Sequence, residues 1–112
     1  MSDSVYFETG GIRYGNSYWS SSNFSWPFAS LKASPEEISI CVSFSSLWTR
    51  TFTFNRSQIK SIRKKRGLWS VGIEIDHSAT EIPPFILFWT FHYKTLKKHL
   101  ESLGYDLVEK FG

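Results

Sequence analysis

Four adjacent cations, Arg63-Lys64-Lys65-Arg66, are the residues of this chain best suited to binding chemistry. Side by side they match phosphate oxygens or a nucleic-acid backbone, and each cation near an anionic membrane contributes about 1 kcal/mol. Gly67 follows and can adopt a positive φ, so the block reads as an exposed hairpin tip, with Leu68 and Trp69 beside it for interfacial contact. The competing reading is a solvated turn that keeps a sheet edge charged. Lys94, Lys97 and Lys98 form a second basic group.

The remaining titratable residues do not assemble into a catalytic pattern. His92 and His99 are seven apart, about two helical turns, and His77 ends a strand, but no Cys or Asp spacing completes a metal shell around them. They are expected to be partly exposed histidines, and no metal or cofactor is expected. Glu74 and Asp76 share one strand face with Ser70 and Gly72, the polar outside of a sheet rather than a carboxylate pair split for acid–base work. Cys41 is the only cysteine and sits in an apolar strand, which excludes an intramolecular disulfide and Cys-based zinc sites. No Ser-His-Asp arrangement, nucleophile elbow or phosphate-cradling glycine loop is present, so an enzyme is not expected.

The elements that must position these residues are mostly strands. The 112 residues make one domain, 41% of them apolar, too many for compositional disorder. Five Trp, ten Phe and five Tyr favour pleated sheet over helix. The net charge of +3 permits anionic partners without requiring them. The longest uncharged apolar run, 82–91, contains Pro83 and Pro84 and falls short of the roughly 20 residues of a membrane span. Met1-Ser2-Asp3-Ser4 leads into no apolar run, so no secretory signal is expected; with a lone cysteine this points to a reducing, cytoplasmic setting.

Residues 1–23 are rich in Ser, Gly and Asn and are expected to be a flexible or edge-strand leader, with Gly10-Gly11 as a hairpin turn. The domain proper is placed at 24–112. Strands are expected over 26–33, with Pro27 confined to an edge or bulge, then 38–44, 48–54, 59–66, 69–77 and 85–89, the last covered on both faces. Ser34-Pro35-Glu36-Glu37 reads as a turn. Tyr93, Leu96, Leu100 and Leu103 then fall at helical spacing over 92–103, with Thr90 or His92 as the cap and Gly104 as the stop. Trp26, Trp69, Trp89, Phe52 and Phe54 are expected in the core, leaving Tyr18 and Trp19 as the exposed aromatics and making nucleic acid an unexpected partner.

Trp26-Pro27-Phe28-Ala29-Ser30-Leu31, Ser34-Pro35-Glu36-Glu37, Gly72-Ile73-Glu74-Ile75-Asp76-His77 and Phe85-Ile86-Leu87-Phe88-Trp89-Thr90 leading into the helix together resemble GRAM-like and bacterial PH-like domains. The resemblance covers residues 24–105. It implies a mainly β fold, a PH-like antiparallel barrel of six to seven strands closed by one C-terminal helix. It also implies a domain without chemistry of its own, whose relatives bind phosphoinositides, peptides or partner proteins. Lipid-binding PH domains usually place Lys and Arg around the first hairpin loop, where this chain has Glu36 and Glu37. The expected function is therefore recognition of a protein or peptide partner. The alternative is peripheral binding to anionic membrane phospholipid through Arg63, Lys64, Lys65 and Arg66.

Overall fold

The computed structural model describes residues 5–45, 48–67 and 70–109. Apolar residues recurring at every second position draw most of the chain into strands: β1 (Tyr6–Gly15), β2 (Ser21–Ala33), β3 (Glu37–Ser45), β4 (Trp48–Asn55), β5 (Ile59–Arg66), β6 (Val71–His77), β7 (Phe85–Thr90) and β8 (Leu107–Val108). A single 3-10 turn, Arg56–Gln58, joins β4 to β5, and one helix, α1 (Tyr93–Ser102), follows β7. The strands form one sheet in the order β4-β3-β2-β1-β7-β6-β5-β8. All neighbours are antiparallel except β5 and β8, which run parallel. The chain is thus mainly β with one C-terminal helix. The expected closed barrel of six or seven strands is instead an open sheet of eight, with β4 and β8 at its two ends.

The sheet is rolled although it is not closed. Tyr14 on β1 and Phe52 on β4 lie three strand positions apart, about 14 Å in a flat sheet. Their ring centroids are 4.9 Å apart. Phe54 on β4 meets His77 at the end of β6 at 4.8 Å. The inner face of the roll buries Ile12, Leu31, Ile38, Ile40, Phe54, Ile62, Ile73, Ile75, Ile86 and Phe88, and α1 adds Tyr93, Leu96 and Leu100.

The helix follows the sequence reading closely. It starts without a side-chain cap bond from His92; Thr90 Oγ1 instead accepts the His92 N–H at 3.1 Å. It ends in a Schellman arrangement, with the Gly104 N–H on the Glu101 carbonyl and the Tyr105 N–H on the Leu100 carbonyl, both at 3.0 Å. Gly104 has φ +96°, and a Cβ there would lie 2.9 Å from the Arg56 guanidinium. Arg56 closes this end: it donates to the Pro35 carbonyl at 2.8 Å, the Leu103 carbonyl at 3.3 Å and the Gly104 carbonyl, and lies over the Tyr105 ring.

The largest correction concerns residues 1–23. β1 is neither a leader nor an edge strand: it lies mid-sheet between β2 and β7, with Ile12 and Tyr14 buried. Gly10-Gly11 makes no turn. It keeps β1 clear of Trp89, since a Cβ on Gly11 would sit 2.3 Å from the indole. Register between β1 and β2 shifts from Gly10↔Ala29 to Ile12↔Phe24, so residues 25–28 bulge opposite Gly11. Pro27 sits in that bulge, as a residue with no N–H to give the ladder must. The sequence readings at Leu68, Trp69 and residues 1–4 lie outside the described residues.

Two stability outcomes follow from this packing. Leu100→Ala opens a cavity under a fully buried side chain and is expected to cost about 2–5 kcal/mol, read as a drop in thermal midpoint of roughly 4 °C or more per kcal/mol. A chain beginning at residue 16 lacks a central strand and is expected to lose its cooperative melt and near-UV circular dichroism; a retained melt would show that β2 and β7 can pair without β1.

Candidate binding groove

The outer face of β1, β7, β6 and β5 carries a groove of about 780 Å³. Its floor comes from strand alternation on β7. Ile86, Phe88 and Thr90 point into the core, so Phe85, Leu87 and Trp89 point out. The expectation that this strand is covered on both faces is corrected: these three are half-buried and open to the groove. The indole of Trp89 lies against Gly11 on β1, and Gly72 is its register partner on β6. A Cβ on Gly72 would approach the Phe88 carbonyl to 2.1 Å and Trp89 Cβ to 2.8 Å.

The rim is cationic. Arg13 on β1 donates through Nε to Ser21 Oγ at 2.7 Å and to the Tyr18 carbonyl at 3.2 Å, and its guanidinium stands 4.1 Å from the Tyr18 ring centroid. That ring in turn meets Phe85 edge-on at 5.9 Å, so the loop of residues 16–20 folds over one end of the floor. On the far side, Arg63 lies 3.3 Å from Glu74 and 3.1 Å from Asp76, and Lys65 lies 3.4 Å from Glu74. Ser61 Oγ also donates to Asp76 at 2.8 Å. Arg66 is exposed and has no partner among the described residues. Arg13, Arg63, Lys65 and Arg66 against Glu74 leave three positive charges in excess along the lining.

The four cations singled out in the sequence are therefore not one exposed tip. They belong to β5, where strand alternation sends Arg63 and Lys65 to the groove and Lys64 to the opposite face. Lys64 Nζ sits 5.1 Å over the Tyr93 ring of α1. The Tyr93 hydroxyl donates to Glu109 at 2.7 Å and Lys97 donates to the same carboxylate at 3.0 Å. These bonds, Tyr93 first, hold the Glu109 carboxyl below its ordinary value of 4.5.

Sequence reasoning missed Glu8. This carboxylate is buried and accepts hydrogen bonds from the Tyr6 hydroxyl and from Thr90 Oγ1, the latter at 2.5 Å, with His92 Nδ1 at 3.2 Å. Burial, then the bond to Glu8, pushes the Tyr6 hydroxyl well above the ordinary phenol range. His99 stacks on the Tyr6 ring at 4.2 Å. His77 accepts the Ala79 N–H at Nδ1 and faces the Pro83 carbonyl with Nε2 at 2.9 Å, so its proton sits on Nε2. Each histidine thus ties together chain segments. Partners 82 residues apart, as Thr90 and Glu8 are, leave no local pattern to read.

The aromatics also divide differently. Phe52 and Phe54 are buried as expected, but Trp26 is 43% exposed on the β2 bulge. Tyr18 and Trp19 are exposed, and so are Phe28, Phe44, Trp48 and Phe91. Among the described residues, no helix is long and apolar enough to cross a membrane. The chain matches no protein-family model and no curated protein.

The Glu109 contact makes a sharp prediction. A depressed carboxylate contributes stability above its unfolded value and loses it as pH falls through the folded value. Tyr93→Phe removes the larger cause, so the Glu109 side-chain carbon in an NMR titration is expected to move its midpoint up toward 4.5. An unmoved midpoint would assign the depression to the cations Lys97 and Lys64.

Proposed function

We propose that the chain is a non-catalytic interaction module of the PH/GRAM-like kind that recognises a peptide segment of a partner protein in the groove of β1, β7, β6 and β5. The observation that carries this reading is an apolar floor of Phe85, Leu87 and Trp89 bordered by four cations on one sheet face. Such a surface suits an extended segment with an apolar anchor and flanking carboxylates. Lys65 is about half exposed at the rim, so a ligand carboxylate can reach its ammonium beside Glu74. Seven antiparallel strands in the order β4-β3-β2-β1-β7-β6-β5, followed by one helix, support the family resemblance. The free, half-buried Cys41 fits a reducing cytoplasmic setting. Anionic lipid is the weaker ligand, because Lys64 faces α1 and Arg63 and Lys65 are paired, leaving Arg66 alone of the four unpaired among the described residues.

An immobilised peptide array of matched acidic, neutral and basic sequences tests this. The protein is expected to retain acidic peptides holding an aromatic or Leu residue. Arg66→Glu should weaken that binding about tenfold, equivalent to about 1.4 kcal/mol, while far-UV circular dichroism stays unchanged. Retention indifferent to peptide charge, or unaffected by Arg66→Glu, would overturn the groove as the site. Binding to phosphatidylserine vesicles with no peptide retained would replace the partner reading with the lipid one.

A further inference from the structure

β4 ends the sheet on one side, and the strand at the other end, β8, is only two residues long. A terminal strand presents a row of unpaired N–H and C=O groups, which proteins usually guard with Lys, Pro or a bulge. β4 reads Trp-Thr-Arg-Thr-Phe-Thr-Phe-Asn: it has no Lys, no Pro and one charge, Arg50. Its register with β3 is unbroken from Ser43↔Thr49 to Glu37↔Asn55. Among the described residues, no segment other than β3 makes backbone hydrogen bonds to residues 49–54. A gap of about 450 Å³ separates the strand from Gln58, Glu81 and Ile82.

The strand is also complementary to itself. Thr49, Thr51 and Thr53 are exposed on the outer face, where Thr49 already meets Ser43 at 3.3 Å and Thr53 meets Ser39 at 3.0 Å. Antiparallel pairing about Thr51 would continue that hydroxyl pattern, setting Thr51 against its counterpart and Thr49 against Thr53. On the other face it sets Arg50 against Phe52, a contact Arg50 already makes within its own chain at 4.8 Å. Moving the twofold axis to Arg50 would oppose two arginines, which is destabilising. Moving it to Phe52 would oppose Trp48 to Arg56, which has left the strand.

We propose that two copies of this chain associate through antiparallel β4–β4 pairing about a twofold axis at Thr51, joining two eight-stranded sheets into one. This surface is separate from the peptide groove.

Sedimentation velocity over a concentration series of the full chain tests it. The wild type is expected to shift from one to two chain masses as concentration rises. Thr51→Lys and Thr51→Glu each oppose like charges at the axis and should raise the dissociation constant at least about tenfold. An equimolar mixture of the two should restore the dimer. A wild type that stays monomeric throughout, or a mixture no stronger than either variant alone, would overturn the proposal. A second readout is covalent. In a Cys41→Ser chain, Thr51→Cys is expected to cross-link on oxidation, since directly opposed strand residues lie about 4.5–5.5 Å apart at Cα, within disulfide reach. Thr53→Cys lies about four residues from its counterpart and should not. Equal cross-linking of both would also overturn the pairing.

Discussion

The fold depends on one short link. β4 and β5 are consecutive in the chain yet sit six positions apart in the sheet. In a flat sheet that is about 29 Å. The chain from Asn55 to Ile59 crosses only the Arg56–Gln58 turn, and four residue steps reach at most about 14 Å. The sheet must therefore roll until its two halves face each other, and the rolled interior is the core. This is why an open sheet buries one face as completely as a sandwich does. The contacts that seal it gather at the link: the Arg56 N–H on the Glu36 carbonyl at 2.8 Å, the Ser78 N–H on the Gln58 carbonyl at 2.9 Å and the Tyr105 hydroxyl on the Ser34 carbonyl at 2.7 Å.

Arg56 ties this end of the roll together. One guanidinium, with five N–H donors in a rigid fork, reaches three backbone carbonyls on two segments, Pro35 in the 34–37 turn and Leu103 and Gly104 at the end of α1. At the other end of α1, Glu8 plays the reciprocal part: a buried acceptor drawing in Tyr6, Thr90 and His92. The helix is thus anchored by a cation at its C-terminal end and a carboxylate at its N-terminal end, which fixes it across the roll.

The groove arises from the same constraint. Rolling commits one face of β7 to the core and turns the other outward, and small residues beside Trp89 let a large indole lie on the sheet instead of standing off it. Alternation on β5 then sorts three of the four adjacent cations between two unlike environments, Arg63 and Lys65 against the carboxylates of β6 and Lys64 against the Tyr93 ring of α1. Cations adjacent in sequence are thereby separated by the width of the sheet.

Period alone determined much of this protein. The alternation of Ile38, Ile40 and Val42, the helical spacing of Tyr93, Leu96 and Leu100, the acidic turn at 34–37 and the stop at Gly104 are local signals, and each corresponds to an element found in the fold. That Pro27 needs an edge or a bulge was legible for the same reason, since a missing N–H is a property of the residue; which of the two it takes, the bulge opposite Gly11, was decided by the pairing of β1 with β2. What tertiary structure decided are matters of partnership. Ser, Gly and Asn around β1 read as a leader because small polar residues bury little, yet a central strand flanking an indole requires glycine. A block of four cations read as a tip because a sequence does not show which strand lies opposite. Glu8 gave no sign at all, because two of its three partners, Thr90 and His92, are more than eighty residues away and a buried carboxylate is recognisable only by the groups that satisfy it.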